Sequence, residues 1–136
     1  MSAQDNIQTT KSIYAAFKRG DRAAMLALCA EDVKLLLETG AGELPWVGVY
    51  EGHAGVEMNQ DRLAEHVEVS QLEELDFLSS DNQVAAALQA EMTLRKNGRK
   101  AGFPRYVQLW IFNAAGKVAS VSEVYDPTEI LAAWRG

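Results

Sequence analysis

The sequence predicts an α+β domain in which helices cover one face of a mainly antiparallel sheet. Three observations lead there. Helical periodicity fills most of the first 65 residues, long β-rich stretches fill the rest, and residues 105–126 read as two strands around a tight turn. A length of 136 residues suits a single domain, 1–136, large enough to bury roughly two-thirds of its unfolded surface.

The elements follow in chain order. Asp5 opens a first helix, with Gln8 as the reciprocal member of a capping box. Ile7, Thr10, Tyr14 and Phe17 recur at helical spacing, and Ile13 flanks their stripe. Gly20 ends this helix and Asp21 caps a short second one through Met25, Leu28 and Cys29. Val33 to Glu38 is an apolar, β-rich strand. The glycine-rich residues 39–52 read as loop, with a short strand from Trp46 to Tyr50. A third helix over Ala54 to Glu65 turns Val56, Leu63 and Val67 inward. Glu68–Ser79 and Gln83–Lys96 are strands meeting at Ser80-Asp81-Asn82, and Asn97-Gly98 turns the chain toward a strand from Arg105. Asp126-Pro127-Thr128-Glu129 supplies an N-cap, a first-position proline and a third-position glutamate for a short last helix.

Composition excludes several classes. A net charge of −6 argues against nucleic acid, because phosphate binding needs clustered Lys and Arg. The basic cluster Arg95, Lys96, Arg99, Lys100 surrounds Asn97-Gly98 and reads as a solvated hairpin tip. Cys29 is the single cysteine, so no intrachain disulfide forms and a reducing, cytoplasmic setting is expected. There is no signal-peptide core and no run approaching the ~18 apolar residues of a membrane span. His53 and His66 lack metal-ligand spacing, and neither a metal nor a cofactor is expected.

The hairpin carries the chemistry. Tyr106, Gln108, Trp110 and Phe112 share one face of its first strand, and Val121, Glu123 and Tyr125 share one face of its second. An amide and a carboxylate thus stand among aromatic rings. Two turns are compatible with the residues. A loop over Asn113–Gly116, closed by Phe112 and Lys117, sets Gln108 opposite Val121 and Tyr106 opposite Glu123. Gln108 and Glu123 are then diagonal neighbours on one face. The shorter loop Ala114–Gly116, with Gly116 in a bulge, puts them on opposite faces. The first is expected.

Four motifs in order resemble the SnoaL-like, ketosteroid isomerase-like proteins of the nuclear transport factor 2-like superfamily: YAAFKRGD (14–21), AEDV (30–33), PWVGVYEGHAGV (45–56) and FNAAGKVASVSEVYD (112–126). The resemblance implies a cone-shaped, strongly curved sheet, closed over a pocket by three helices of the N-terminal half, with a short C-terminal helix and often a homodimer. It does not transfer the isomerase chemistry. The family's helix tyrosine aligns with Ile13, one residue from Tyr14; its base aligns with Leu37; its second acid aligns with Gln108. For a SnoaL-type cyclase acid, Asp126 and Glu123 are both available, Asp126 reading first as a helix cap.

Glu123 and Gln108 are therefore the candidate catalytic pair. Burial among aromatics would raise the carboxyl's pKa toward that of a general base, and Gln108 or Tyr106 could hold a substrate oxygen. Expected ligand-lining residues are Tyr106, Trp110, Leu35, Leu37, Trp46, Met58, Phe77, Met92, Leu94, Val121 and Tyr125, with Ala90 beside them. Tyr14 and Cys29 are expected in the core. Two functions compete: a protein binding a small, neutral, apolar molecule, and a cofactor-independent isomerase, cyclase or epoxide hydrolase with Glu123 as base. The stripe Val107, Leu109, Ile111 on the opposite face predicts a twofold homodimer.

Overall fold

A computed structural model describes residues 2–136. It is an α+β structure of four helices and one six-stranded sheet. Helix α1 spans Ala3–Lys18, α2 Arg22–Ala27, α3 Gly52–His66 and α4 Thr128–Arg135. The strands are β1 Cys29–Leu37, β2 Gly48–Glu51, β3 Val67–Ser80, β4 Gln83–Leu94, β5 Lys100–Phe112 and β6 Val118–Val124. Their order is β2-β1-β6-β5-β4-β3; β1 and β6 run parallel and every other pair is antiparallel. The sheet is curved but not closed, leaving β2 and β3 as edges. Irregularities in β1, β3, β5 and the β5–β6 pair provide the bends, since an extra residue in one strand kinks it and steepens its twist.

Local chemistry sets the helix ends, with three departures from expectation, the simplest being that α2 stops at Ala27 and Cys29, expected in that helix, opens β1. The cap of helix α1 lies three residues earlier than Asp5. Ser2 is its cap, accepting from the Asp5 amide at 3.1 Å, and the Asp5 carboxylate returns a bond to the Ser2 amide. Asp5, not Gln8, is therefore the third-position partner of the capping box. At α4 the cap position falls on Pro127, and Asp126 acts one residue upstream, its Oδ1 accepting from the Thr128 amide and hydroxyl at 3.0 and 2.6 Å. Asp21 caps α2 as expected, accepting from the Ala24 amide at 3.1 Å. Helix α3 lies close on β2, because Gly55 has no Cβ: one placed there would stand 3.1 Å from the Tyr50 backbone.

The core divides in two. One cluster joins Ile13 and Tyr14 of α1 to Val33, Val84, Leu88, Trp110, Phe112 and Val118 of the sheet. The other lies under α4, where Ile130 and Ala133 meet Leu44, Trp46, Val67, Leu94 and Phe103. Leu37, Leu72 and Tyr106 touch both, and the space between the clusters is where the site lies.

Candidate functional site

The β5–β6 turn decides the site. The Asn113 amide donates to Lys117 O at 2.9 Å, and Gly116 adopts φ 78°, so the tight loop is Ala114–Gly116. The expected Asn113–Gly116 loop is thus replaced by its shorter competitor. The consequence expected of that competitor is nevertheless reversed. Phe112 pairs with Val118, but Ile111 pairs with Ser120, so Ala119 is an extra residue in β6. One inserted residue flips every side chain beyond it to the other face. Gln108 then stands directly opposite Glu123 and Trp110 opposite Val121, all on the inner face.

Four polar groups join on that face. Gln108 Nε2 donates to Glu123 Oε1 at 2.7 Å, the Tyr14 hydroxyl donates to Gln108 Oε1 at 2.6 Å, and Trp110 Nε1 donates to the Tyr14 oxygen at 2.9 Å. Each donor points along the chain toward Glu123, an alignment in which neighbouring bonds polarise one another. Tyr14 also meets Trp110 edge-on, with ring centroids 5.7 Å apart. Sequence reasoning placed Tyr14 in the core and missed this role. Both hold: the ring is buried on the α1 stripe while its hydroxyl reaches across to β5. A polar tip on an otherwise apolar helix face was the available signal.

Desolvation raises the Glu123 carboxyl above its usual range, and the Gln108 hydrogen bond opposes that only in part. The Tyr14 and Tyr106 phenols are also pushed up by burial, and the Tyr125 phenol to about 12. Glu123 adds to all three shifts, because a second negative charge beside it is unfavourable. Burial likewise lifts the Cys29 thiol to about 11. Glu123 Oε1 is held by Gln108. Oε2 has no hydrogen-bond partner among the described residues, and the only fully enclosed orphan oxygen there is Asn6 Oδ1, so Oε2 faces open space.

Glu123 borders a small cavity of about 40 Å³ and, beside it, a larger one of about 170 Å³. Leu35, Leu37, Trp46, Ala90, Met92, Tyr106, Trp110 and Val121 line the larger with Gln108 and Glu123, and so do Tyr14 and Cys29. Four expected lining residues fall elsewhere. Met58 is on the outward side of α3, 49% exposed. Phe77 lies in the same cross-sheet row as Gln108, but α1 passes over it: it packs beside Tyr14, with Lys11 Nζ 5.3 Å from its ring. Leu94 is sealed under α4 in the second core cluster. Tyr125 lines the smaller cavity with Phe103 and Ile130, and its hydroxyl donates to Thr39 O at 3.0 Å. Asp126 is exposed and serves the α4 turn, where the Thr128 hydrogen bonds hold its carboxyl low.

The structure is an α+β domain whose curved sheet and helices enclose a small cavity lined by one carboxylate. The chain belongs to the SnoaL-like domain family, whose model matches residues 11–121. Its structure is similar to that of an NTF2-like protein of unknown function from Burkholderia pseudomallei, at 26% identity over 100% of both chains with a TM-score of 0.88. It is also similar to an NTF2-like protein from Burkholderia xenovorans, at 29% identity over 98% of each chain and a TM-score of 0.86. A third similar structure, provisionally assigned as a polyketide cyclase, comes from Xanthomonas campestris. It is 22% identical over 97% of this chain and 98% of that one, with a TM-score of 0.82. No curated protein matches the sequence.

Proposed function

We propose that the cavity binds a small cyclic carbonyl compound and that Glu123 moves a proton on it. The observation carrying this reading is the state of Glu123: one oxygen fixed by Gln108, the other open to an apolar cavity, and the carboxyl raised toward the range of a working base. Size supports a single ring, since an apolar cavity of about 150 Å³ accommodates benzene. The Gln108 amide is held at both ends, by Glu123 and Tyr14, which leaves it one N–H in a fixed orientation. Tyr106 lines the same cavity, with no hydrogen bond modifying its hydroxyl among the described residues. It is the better donor to a carbonyl oxygen.

The step is a proton transfer. Glu123 Oε2 takes a proton from the carbon beside the carbonyl, and the C–H electron pair moves to form an enolate. Donation from Tyr106 stabilises the oxygen charge, and Glu123 returns the proton to the same or a conjugated carbon. Isomerisation or ring closure both begin this way.

The competing reading keeps the cavity as a binding site without turnover. Exchange of the α-hydrogens of cyclohexanone into deuterated water, followed by NMR, separates the two. Exchange above background that disappears in Glu123→Gln supports the base; equal rates in both would remove it and leave binding.

The protein is further proposed to pair with a second copy in the reducing cytoplasm. Support comes from the outer sheet face, where Val49, Leu36, Leu109 and Leu78 lie in one row of paired residues crossing the sheet. Val124, Leu78 and Val49 are 68%, 69% and 55% exposed, and apolar surface of this kind usually marks an interface. Among the described residues no helix is long and apolar enough to cross a membrane.

A further inference from the structure

The cavity around Glu123 has a vestibule. Phe17, Met25, Gln60, Leu63, Val69 and Leu72 line both it and a more open space of about 530 Å³, which runs between the helices and the edge strand β3. The two spaces adjoin across these six side chains, five of them apolar and one, Gln60, an amide.

The vestibule differs in charge. Its wall includes Lys18, Arg22 and Arg95 against a single acid, Glu68, in a chain whose acidic side chains outnumber its basic ones by six. Two of the cations have partners at the surface, Glu74 half-buried and Asp61 exposed: Lys18 Nζ is 2.7 Å from Glu74, and Arg22 Nη2 is 2.7 Å from Asp61. Such solvent-facing pairs contribute little and can be exchanged for a ligand's charge. Arg95 is different. Its Nε donates to Ala64 O at 2.8 Å, which holds the guanidinium in place, and among the described residues no carboxylate pairs with it. Sequence alone placed Arg95 at a solvated hairpin tip and expected a neutral ligand.

We infer that the natural ligand carries an anionic group on a short apolar linker: the ring sits in the inner cavity, and the anion meets Arg95, Lys18 and Arg22 in the vestibule. This rests on the inner cavity being the ligand site. A positioned guanidinium offers a carboxylate two parallel hydrogen bonds, and the cations offset the repulsion an acid meets from an acidic protein.

The test compares 4-phenylbutyrate with its neutral isostere 4-phenylbutanamide by calorimetric titration at low salt. The acid should bind about tenfold or more tightly than the amide, as expected when a hydrogen bond to a charged group adds about 1.5 kcal/mol or more. That ratio should fall toward one in Arg95→Gln combined with Lys18→Gln, and in wild type at high salt. Equal binding of acid and amide in the wild type would overturn the anion subsite and leave the cavity reading intact. Binding of neither would overturn both. A preference for the acid that survives both the double substitution and high salt would place the anion elsewhere and also reject the inference.

Discussion

The two faces of the β5–β6 hairpin show how one piece of backbone serves two purposes. The inner face holds Tyr106, Gln108, Trp110, Val121 and Glu123, where every polar atom but a few is spoken for and the remainder opens into a cavity. The outer face holds Val107, Leu109 and Ile111 against Ser120, Ser122 and Val124, with no polar network across it. The inner face is specified by hydrogen bonds in a dry setting, where losing one partner is costly. The outer face is specified only by apolar area, which matters when something covers it. A similar contrast separates Glu123 from Asp126, three residues on. Burial raises the first carboxyl, and exposure to the Thr128 donors lowers the second.

The largest expected effect comes from emptying the inner face. Trp110→Ala removes a buried indole and the donor to Tyr14, and should destabilise the fold by about 3–5 kcal/mol in urea titration. A loss below about 1 kcal/mol would show that the inner face is not the tightly specified one.

Tyr14→Phe isolates the polar part of that cost. It keeps the ring but strands Trp110 Nε1 and Gln108 Oε1, so a loss of about 1–3 kcal/mol is expected. It should also alter the pH at which Glu123 titrates. A variant as stable as wild type, with an unchanged Glu123 titration by carboxyl NMR, would mean the donor chain does not hold in solution.

Val124→Asp addresses the outer face. Because Val124 is exposed in the single chain, the substitution should leave thermal stability nearly unchanged when measured on monomer, yet shift sedimentation from dimer to monomer at micromolar concentration. A wild-type monomer at that concentration would reject the pairing outright.

Two smaller effects have opposite pH signatures. The folded Glu123 has a raised pKa, so its ionised form is penalised only in the native state. Stability is lost as pH climbs from the unfolded value near 4.5 through the folded one. Glu123→Gln should match wild type in acid and exceed it in melting temperature as pH rises. The folded Asp126 has a lowered pKa, so its contribution is present above the unfolded value near 3.8 and lost as pH falls through the folded one. Asp126→Asn should instead lower the melting temperature slightly near neutral pH and lose its difference from wild type in acid. Parallel pH profiles for the two variants would contradict the contrast between the carboxyls.

Much of this protein was legible in its sequence because local chemistry writes it there. Helical spacing from Ile7 to Phe17 and the Asp21 cap located the first two helices. The Asn97-Gly98 turn, the long β-rich runs and four ordered motifs gave the sheet and the family. Alternation alone put Gln108 among aromatics and Glu123 beside Val121. Tertiary structure decided the rest. Whether those two side chains meet depended on one extra residue at Ala119, which no spacing rule signals, because a bulge is fixed by both strands that β6 joins. Tyr14 entered the site because α1 packs on β3 and β4 where its hydroxyl can reach β5, and Phe77 left it because the same helix covers it. Arg95 reached the wall of the outer space by folding a hairpin end against the last turn of α3. Contacts between elements distant in sequence depend on how whole helices and strands pack, and one chain's periodicity holds no record of that packing.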